Sequence, residues 1–216
     1  MRKTLTIEVP TNWEDVSLKR YLALMNDLEN YKDDEEAQTA LMLLHLCNIQ
    51  PEYLKGLSKA SYDLLRAKLS GFIQPDGIEL QRIISIGNRE YGFEPNLSKI
   101  AYGAYADITR YEQITIDKNW AKIMSILYRP ITKKNGHFYT IEPYTGEEPS
   151  EPFLDVSMEI HFGCLFFFVN LSMELLKGIQ KYLKEEELPA SIRSILERSG
   201  EVMQHSWNYP TTISLK

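Results

Sequence analysis

The chain has 216 residues, of which 44% are hydrophobic and 25% are charged, and its formal net charge is −6 at pH 7. These proportions are average for globular proteins and the chain is long enough to bury a core, so neither a fibrous nor a disordered class is indicated. The acidic balance argues against nucleic acid as the main partner, because phosphate binding requires a basic face.

The N-terminal part of the sequence predicts a strand followed by helices. Residues 3–9 alternate polar and apolar side chains, which is typical of a half-buried strand, and Pro10 closes it. Ser17 is a suitable N-cap for the first helix. The acidic residues 33–36 suit the positive N-terminal end of a second helix, whose apolar stripe is predicted to stop at Pro51.

The middle of the sequence changes period. Residues 58–71 have core spacing for a third helix, which Gly71 would end. Alternating residues on both sides of Gly87 and Asn88 predict a β-hairpin over 80–93. Residues 98–113 are then predicted to be helical.

The second half begins with a helix that has Asp117 near its start and Pro130 as its expected breaker. Residues 132–142 are predicted to form a hairpin arm, followed by a loop rich in proline and glutamate. A long helix is predicted over 157–184, and a shorter one over 189–204.

These elements predict a mainly α fold of the α+β class, a helical domain with a small antiparallel β element. The β element comprises the N-terminal strand and the hairpins near 80–93 and 132–142. One domain over 1–216 is expected. The alternative divides it into an N-terminal helical part, 1–75, and a part with the hairpin and the C-terminal helices, 76–216.

The N-terminus and the apolar runs indicate no export or membrane segment. The first residues are basic but lack the apolar stretch of a signal peptide. The longest unbroken apolar run, 164–169, is far shorter than the roughly 20 residues of a membrane span. Cys47 and Cys164 lie in apolar stretches without a CxxC motif, so we expect free, largely buried thiols in a cytoplasmic protein.

The sequence contains none of the common catalytic or ligand-binding motifs. The four histidines are His45, His137, His161 and His205. No two of them have the i,i+4 spacing of a helical metal site, and a nucleophile elbow, a Walker loop and GxGxxG are missing. The acidic runs 33–36 and 185–187 are more typical of solvated helix ends than of a cation site. We therefore expect a protein that is not an enzyme, with no catalytic residue, cofactor or metal.

The predicted helix over 157–184 is apolar around most of its circumference. One stripe consists of Phe162, Leu165, Phe166, Val169, Met173 and Leu176. A second face consists of Phe167, Phe168, Leu171 and Leu175. Such a helix either lies at the centre of a domain or buries its spare face against another chain. Because aromatic side chains dominate interface energetics, Phe167 and Phe168 are candidate partner contacts.

Four stretches of the sequence resemble a group of proteins from tailed bacteriophages of Bacteroidetes. They are "VPTNWEDVSLKRYLAL", "NWAKIMSILYRPI", "GHFYTIEPY" and "GCLFFFVNLSMELLKGIQKYL", and the similarity runs from Val9 to Leu183. Proteins of this group are described as tail assembly chaperones or uncharacterised tail-module proteins. The resemblance implies a non-enzymatic protein that binds and shields a tail or tape-measure component in the host cytoplasm. The alternative is a structural component of the virion, such as a tail-completion, neck or baseplate subunit.

A chaperone of this kind needs locally exposed aromatic surface on a soluble body. Tyr128, Tyr139 and Tyr144 suit that role, since tyrosine combines a large contact area with a polar tip. Arg129 would pair either with a carboxylate of the partner or with one of its own chain. The expected partner is another phage protein, with a second copy of the chain as a further candidate.

Overall fold

The computed structural model describes residues 9–72, 77–111 and 114–185. Within these ranges the chain forms seven α-helices and a four-stranded antiparallel sheet, which confirms the predicted mainly helical α+β class. The predicted strand over 3–9, apart from Val9, and the predicted helix over 189–204 lie outside the described residues. The helices are α1 (Leu18–Leu28), α2 (Glu35–Cys47), α3 (Pro51–Leu54), α4 (Lys59–Phe72), α5 (Tyr102–Thr109), α6 (Trp120–Leu127) and α7 (Met158–Glu185).

Side-chain caps set the ends of the first two helices. The Ser17 hydroxyl accepts a hydrogen bond from the Arg20 amide, which confirms the predicted cap of α1. The Asp34 carboxylate caps α2 in the same way through the Ala37 amide. The end of α2 differs from the prediction, because Asn48 adopts a left-handed conformation (φ 54°) and ends the helix before Pro51. Pro51 instead begins α3, where its missing N–H is not needed.

The arginine in the first turn of α1 joins α1 to the end of α2. The Arg20 guanidinium donates to the carbonyl oxygens of His45 and Leu46, at 3.0 and 2.7 Å. A cation at this position satisfies carbonyls that the helix leaves without partners and suits the negative end of its dipole. Near the other end of α1, the Asp27 carboxylate lies 2.7 Å from the His45 ring. The last turn of α2 is therefore bonded to both ends of α1.

The two predicted hairpins are confirmed, and they belong to one sheet. Its strands are β1 (Ile83–Ile86), β2 (Arg89–Phe93), β3 (Tyr128–Asn135) and β4 (Phe138–Ile141), in the order β1-β2-β3-β4. Gly87 and Gly136 supply the positive φ angles, 59° and 60°, that the two hairpin turns require. The pairing of β2 with β3 through Tyr91 and Pro130 connects the hairpins, and no local sequence pattern predicts it.

Two helix boundaries in the middle of the chain differ from those predicted. Helix α5 covers only Tyr102–Thr109, after a separate 3-10 turn at Leu97–Lys99. Helix α6 ends at Leu127, and the chain passes directly into β3. Pro130 is therefore not the breaker of α6 but a residue of a strand, where its carbonyl accepts from the Glu142 amide at 2.9 Å. Strand pairing ends the helix before the proline is reached.

The first two turns of α7 belong to the core of the N-terminal part of the chain. The Met158 amide donates to the Val16 carbonyl at 2.7 Å, beside a bridge between Ser17 and Ser157. The Phe162 ring packs edge-on against the rings of Trp13 and Tyr21, with centroids 5.0 and 5.7 Å apart. Edge-to-face contacts at this spacing stabilise aromatic pairs beyond the area that they bury.

The contacts divide the chain inside α7 into two compact units, Met1–Leu165 and Phe166–Lys216. This division does not coincide with the alternative boundary at 75/76, and the expectation of a single domain stays a prediction.

Both cysteines are free. Cys164 is buried, and burial raises the pKa of its thiol, whereas Cys47 is only half-buried.

Part of α7, Met158–Ile179, is long and apolar enough to cross a membrane by length and composition. No unbroken apolar run marks this stretch in the sequence, because Asn170 and Glu174 interrupt it without removing the apolar average. Core helices of soluble proteins have the same composition, so a single such helix is weak evidence for a span. The first two turns of this stretch are indeed buried in protein, at His161 and Cys164 among others.

Candidate functional site

Tyr128 and Arg129, two of the predicted partner contacts, lie inside the protein. Tyr128 is 1% exposed, and its hydroxyl donates to the Gln81 carbonyl at 2.6 Å. Burial raises the pKa of this hydroxyl. The Arg129 guanidinium lies 2.6 Å from the Glu94 carboxylate, and both side chains are almost fully buried. Of the two carboxylate partners considered for Arg129, the structure provides the intramolecular one.

Two further hydrogen bonds complete the surroundings of Arg129. Its guanidinium donates to the carbonyl of Ile126, at the end of α6, at 2.9 Å. It also donates to the carbonyl of Glu142, just after β4, at 2.8 Å. One planar, permanently charged group thus fixes the start of β3 against three segments of chain.

Tyr139 holds the hairpin arm onto the first hairpin. Its hydroxyl lies 2.7 Å from the Phe93 carbonyl and 3.2 Å from the Arg82 carbonyl. Its ring covers Gly92 so closely that a Cβ at that position would lie 2.4 Å from a ring carbon. Burial raises the pKa of the Tyr139 hydroxyl. Only glycine, which has no side chain, therefore fits at position 92.

Tyr144 ties the loop after β4 to helix α5. Its hydroxyl donates to the Asp107 carboxylate, and its ring lies against Gly103. Partial burial, together with the hydrogen bond to Asp107, raises the pKa of Tyr144 to about 12. The Arg110 guanidinium pairs with the same carboxylate at 2.9 Å. Tyr128, Arg129, Tyr139 and Tyr144 thus have intramolecular roles, and partner binding through them stays a prediction.

The exposed aromatic residue of the arm is Phe138, which the sequence analysis did not select. Phe138 is 84% exposed, and every residue of the segment 132–138, here called the arm tip, is exposed. The period of two in a strand could have identified it, because Tyr139 and Ile141 point to one face and Phe138 must point to the other. The arm tip also carries Lys133, Lys134 and His137, and Lys134 pairs with Glu90 at 2.7 Å.

A cavity of about 140 Å³, here called the base pocket, lies where the arm leaves the body. Aromatic and proline side chains form much of its wall, together with two arginines and three glutamates. The residues used below are Tyr91, Pro143, Pro149, Phe153, Glu147 and Glu148. The Glu148 carboxylate accepts hydrogen bonds from the Thr145 and Gly146 amides, which gives the loop after β4 that lines the pocket a defined shape.

The second face of α7 carries Phe167 and Phe168, whose rings are in edge-on contact with centroids 5.4 Å apart. Both side chains are half-buried. Further along the same face Leu175 is 60% exposed, and Ile179 is exposed as well. A shallow, open depression of about 420 Å³ lies on this part of the face. Its described lining consists of Leu171, Glu174, Leu175, Gly178 and Ile179.

His161 is the most strongly perturbed histidine of the described part, and its contacts are structural. Its Nδ1 accepts from the Trp120 indole N–H at 3.1 Å, and its Nε2 donates to the Phe153 carbonyl, also at 3.1 Å. Burial lowers the pKa of His161 to about 4. Within 9–72, 77–111 and 114–185, no group of three or more His, Cys, Asp or Glu side chains could hold a metal ion.

The neutral state of His161 predicts a loss of stability in mild acid. The unfolded chain binds a proton at this residue below about pH 6.5, whereas the folded protein does so only below about pH 4. The contribution of His161 to the free energy of unfolding is therefore fully present above pH 6.5. It falls by about 3 kcal/mol as the pH decreases to 4. Urea unfolding at a series of pH values measures this, with His161→Gln as the non-titrating comparison.

The difference in unfolding free energy between the wild type and His161→Gln removes the contribution of the other acidic groups. We expect this difference to change by about 3 kcal/mol between pH 6.5 and 4. The NMR signals of the wild-type His161 ring should meanwhile stay unchanged down to pH 5. A ring that titrates near pH 6.5 in the folded protein would contradict the prediction.

Comparison of the chain with protein-family models, curated proteins and solved structures gives no match.

Proposed function

We propose that this protein is a non-enzymatic assembly protein of a tailed bacteriophage that binds and shields a tail or tape-measure component in the host cytoplasm. The proposal rests on the resemblance of residues 9–183 to tail-module proteins and on one observation. Large apolar side chains of α7 remain exposed beyond the buried first turns, at Met173, Leu175 and Ile179. We assign client binding to the second face of α7, which Leu175 and Ile179 share with Phe167 and Phe168.

The energetics of this face suit a client that must later be released. Complete burial of a leucine or isoleucine side chain is worth about 1.5–3 kcal/mol relative to leaving it exposed. An amphipathic helix of the client that covers Leu175 and Ile179 would recover that free energy, in the manner of helices bound in apolar grooves. A few such side chains give a complex of limited affinity, which polymerisation of the tail could displace.

The test is a binding measurement with the tape-measure protein encoded by the same phage. Replacing Leu175 by serine should weaken binding about tenfold or more, because it removes a large apolar contact. Since Leu175 is 60% exposed, the variant should keep the melting temperature of the wild type. Leu64→Ser is the matched control, because Leu64 is 59% exposed on α4. We expect this control to bind like the wild type.

Two results would contradict the assignment to α7. In one, Leu175→Ser and Leu64→Ser bind the tape-measure protein equally well. In the other, Leu175→Ser lowers the melting temperature as strongly as a core substitution, which would make this face part of the fold. Recovery of the protein at fixed stoichiometry in purified particles would favour the structural virion component instead.

A further inference from the structure

The arm tip combines one large apolar side chain with positive charge. Phe138 is 84% exposed, and Lys133, Lys134 and His137 precede it in sequence. An exposed phenylalanine flanked by basic residues fits an apolar pocket with an acidic edge. The chain as a whole carries a net charge of −6, so the basic tip stands apart from an acidic body.

The base pocket has the complementary properties. Its volume of about 140 Å³ is close to the roughly 150 Å³ of an apolar cavity that binds benzene. Tyr91, Pro143, Pro149 and Phe153 supply apolar wall. Two arginines of the lining, Arg89 and Arg129, pair with Glu142 and Glu94, so Glu147 and Glu148 supply the remaining negative charge. A phenyl ring therefore fits the pocket by size, and lysines beside that ring would meet its carboxylates.

Phe138 of a given copy does not occupy its own base pocket, since its side chain is 84% exposed. Pro130 lines the pocket, and Asn135 lies next to the turn of the arm, five residues further along β3. At about 3.4 Å per residue the strand separates the two by roughly 17 Å. The Tyr139 hydroxyl and the close fit of its ring on Gly92 hold the arm in this position. A Phe138 ring that enters the pocket must therefore come from another copy.

We propose that Phe138 of one copy of this chain inserts into the base pocket of a second copy, with Lys133 of the tip facing Glu147 of the pocket. The tip and the pocket are different surfaces. The contact is therefore made twice in a reciprocal two-fold dimer, or it runs head to tail into a larger ring or an open chain. The residues differ from those of the second face of α7, so the failure of either proposal leaves the other intact.

The oligomeric state of the full chain at low salt tests the contact. Light scattering after gel filtration should show species larger than the 25.1 kDa monomer, and more of them as the protein concentration rises. High salt should reduce them, because screening weakens the contact of lysine with glutamate. Phe138→Ala should raise the dissociation constant about 30-fold or more, as expected when an aromatic anchor is lost. Tyr102→Ala is the matched control, since Tyr102 is 83% exposed on α5.

A mixing experiment tests that the contact joins the tip of one copy to the pocket of another. Phe138→Ala removes the tip anchor, and Glu147→Lys reverses a charge at the pocket, so each variant alone should be mainly monomeric. When the two are mixed, the intact tip of one variant can enter the intact pocket of the other, and a one-to-one dimer should form. A monomeric wild type at every concentration would overturn the proposal. So would equal effects of Phe138→Ala and Tyr102→Ala, or a mixture that stays monomeric while the wild type associates.

Discussion

Replacing Arg129 by methionine is expected to lower the free energy of unfolding by about 3–5 kcal/mol, because the change leaves a buried carboxylate without its counter-ion. The side chains of Arg129 and Glu94 are 6% and 10% exposed. The carbonyls of Ile126 and Glu142 lose their donor at the same time. Urea unfolding at neutral pH measures the loss.

The ion pair between Arg89 and Glu142 provides the matched control for this prediction. Its side chains are 57% and 43% exposed, so water already solvates both charges. Arg89→Met should therefore cost less than about 1 kcal/mol. Replacement of the whole buried pair, as Arg129→Met with Glu94→Leu, should recover part of the loss, since no unpaired buried charge remains. Similar small costs for Arg129→Met and Arg89→Met would contradict the structural role assigned to Arg129.

Replacing Gly163 by alanine is expected to cost about 3 kcal/mol or more, through a clash that side-chain movement cannot relieve. A Cβ at Gly163 would lie 2.4 Å from the carbonyl oxygen of Glu79 and 3.0 Å from its carbonyl carbon. These are backbone atoms of the segment that leads into β1, so α7 or that segment must move. Thermal unfolding of the variant measures the cost.

Gly178 lies in the same helix and gives the opposite expectation. No atom lies within 4 Å of a Cβ built at Gly178. Because glycine is a poor helix former, Gly178→Ala should stabilise the helix by about 0.5–1 kcal/mol. If both substitutions were destabilising by the same amount, the close approach of Glu79 to α7 would not explain the cost at Gly163.

The elements that the sequence predicts well are those with local causes. Ser17 needs only the amides of the next turn to cap α1, and Gly87 needs only its own φ angle to make the turn between β1 and β2. The long helix over 157–184 follows from its period and composition, and α7 occupies nearly the same residues. In each of these cases, the interaction that fixes the element joins residues that are close together in the sequence.

The candidate site is predicted less well, because its contacts join distant parts of the chain. Arg129 finds its carboxylate 35 residues away at Glu94, and the sequence offers many other carboxylates. Tyr139 is an anchor and Phe138 is the exposed ring because the Tyr139 ring packs on Gly92 of β2, which no local pattern indicates. Strand alternation does require the two neighbours to face opposite ways, so it predicts an exposed Phe138 wherever Tyr139 faces the protein.

The most direct test of the proposed function follows the protein through phage assembly with quantitative immunoblots. Infected host cells are lysed before particles mature, and the complex of this protein with the tape-measure protein is measured by co-purification. The same blots are made on purified particles. We expect a complex in the lysate and none of this protein in the particles. A fixed number of copies per particle, or no complex in the lysate, would contradict it.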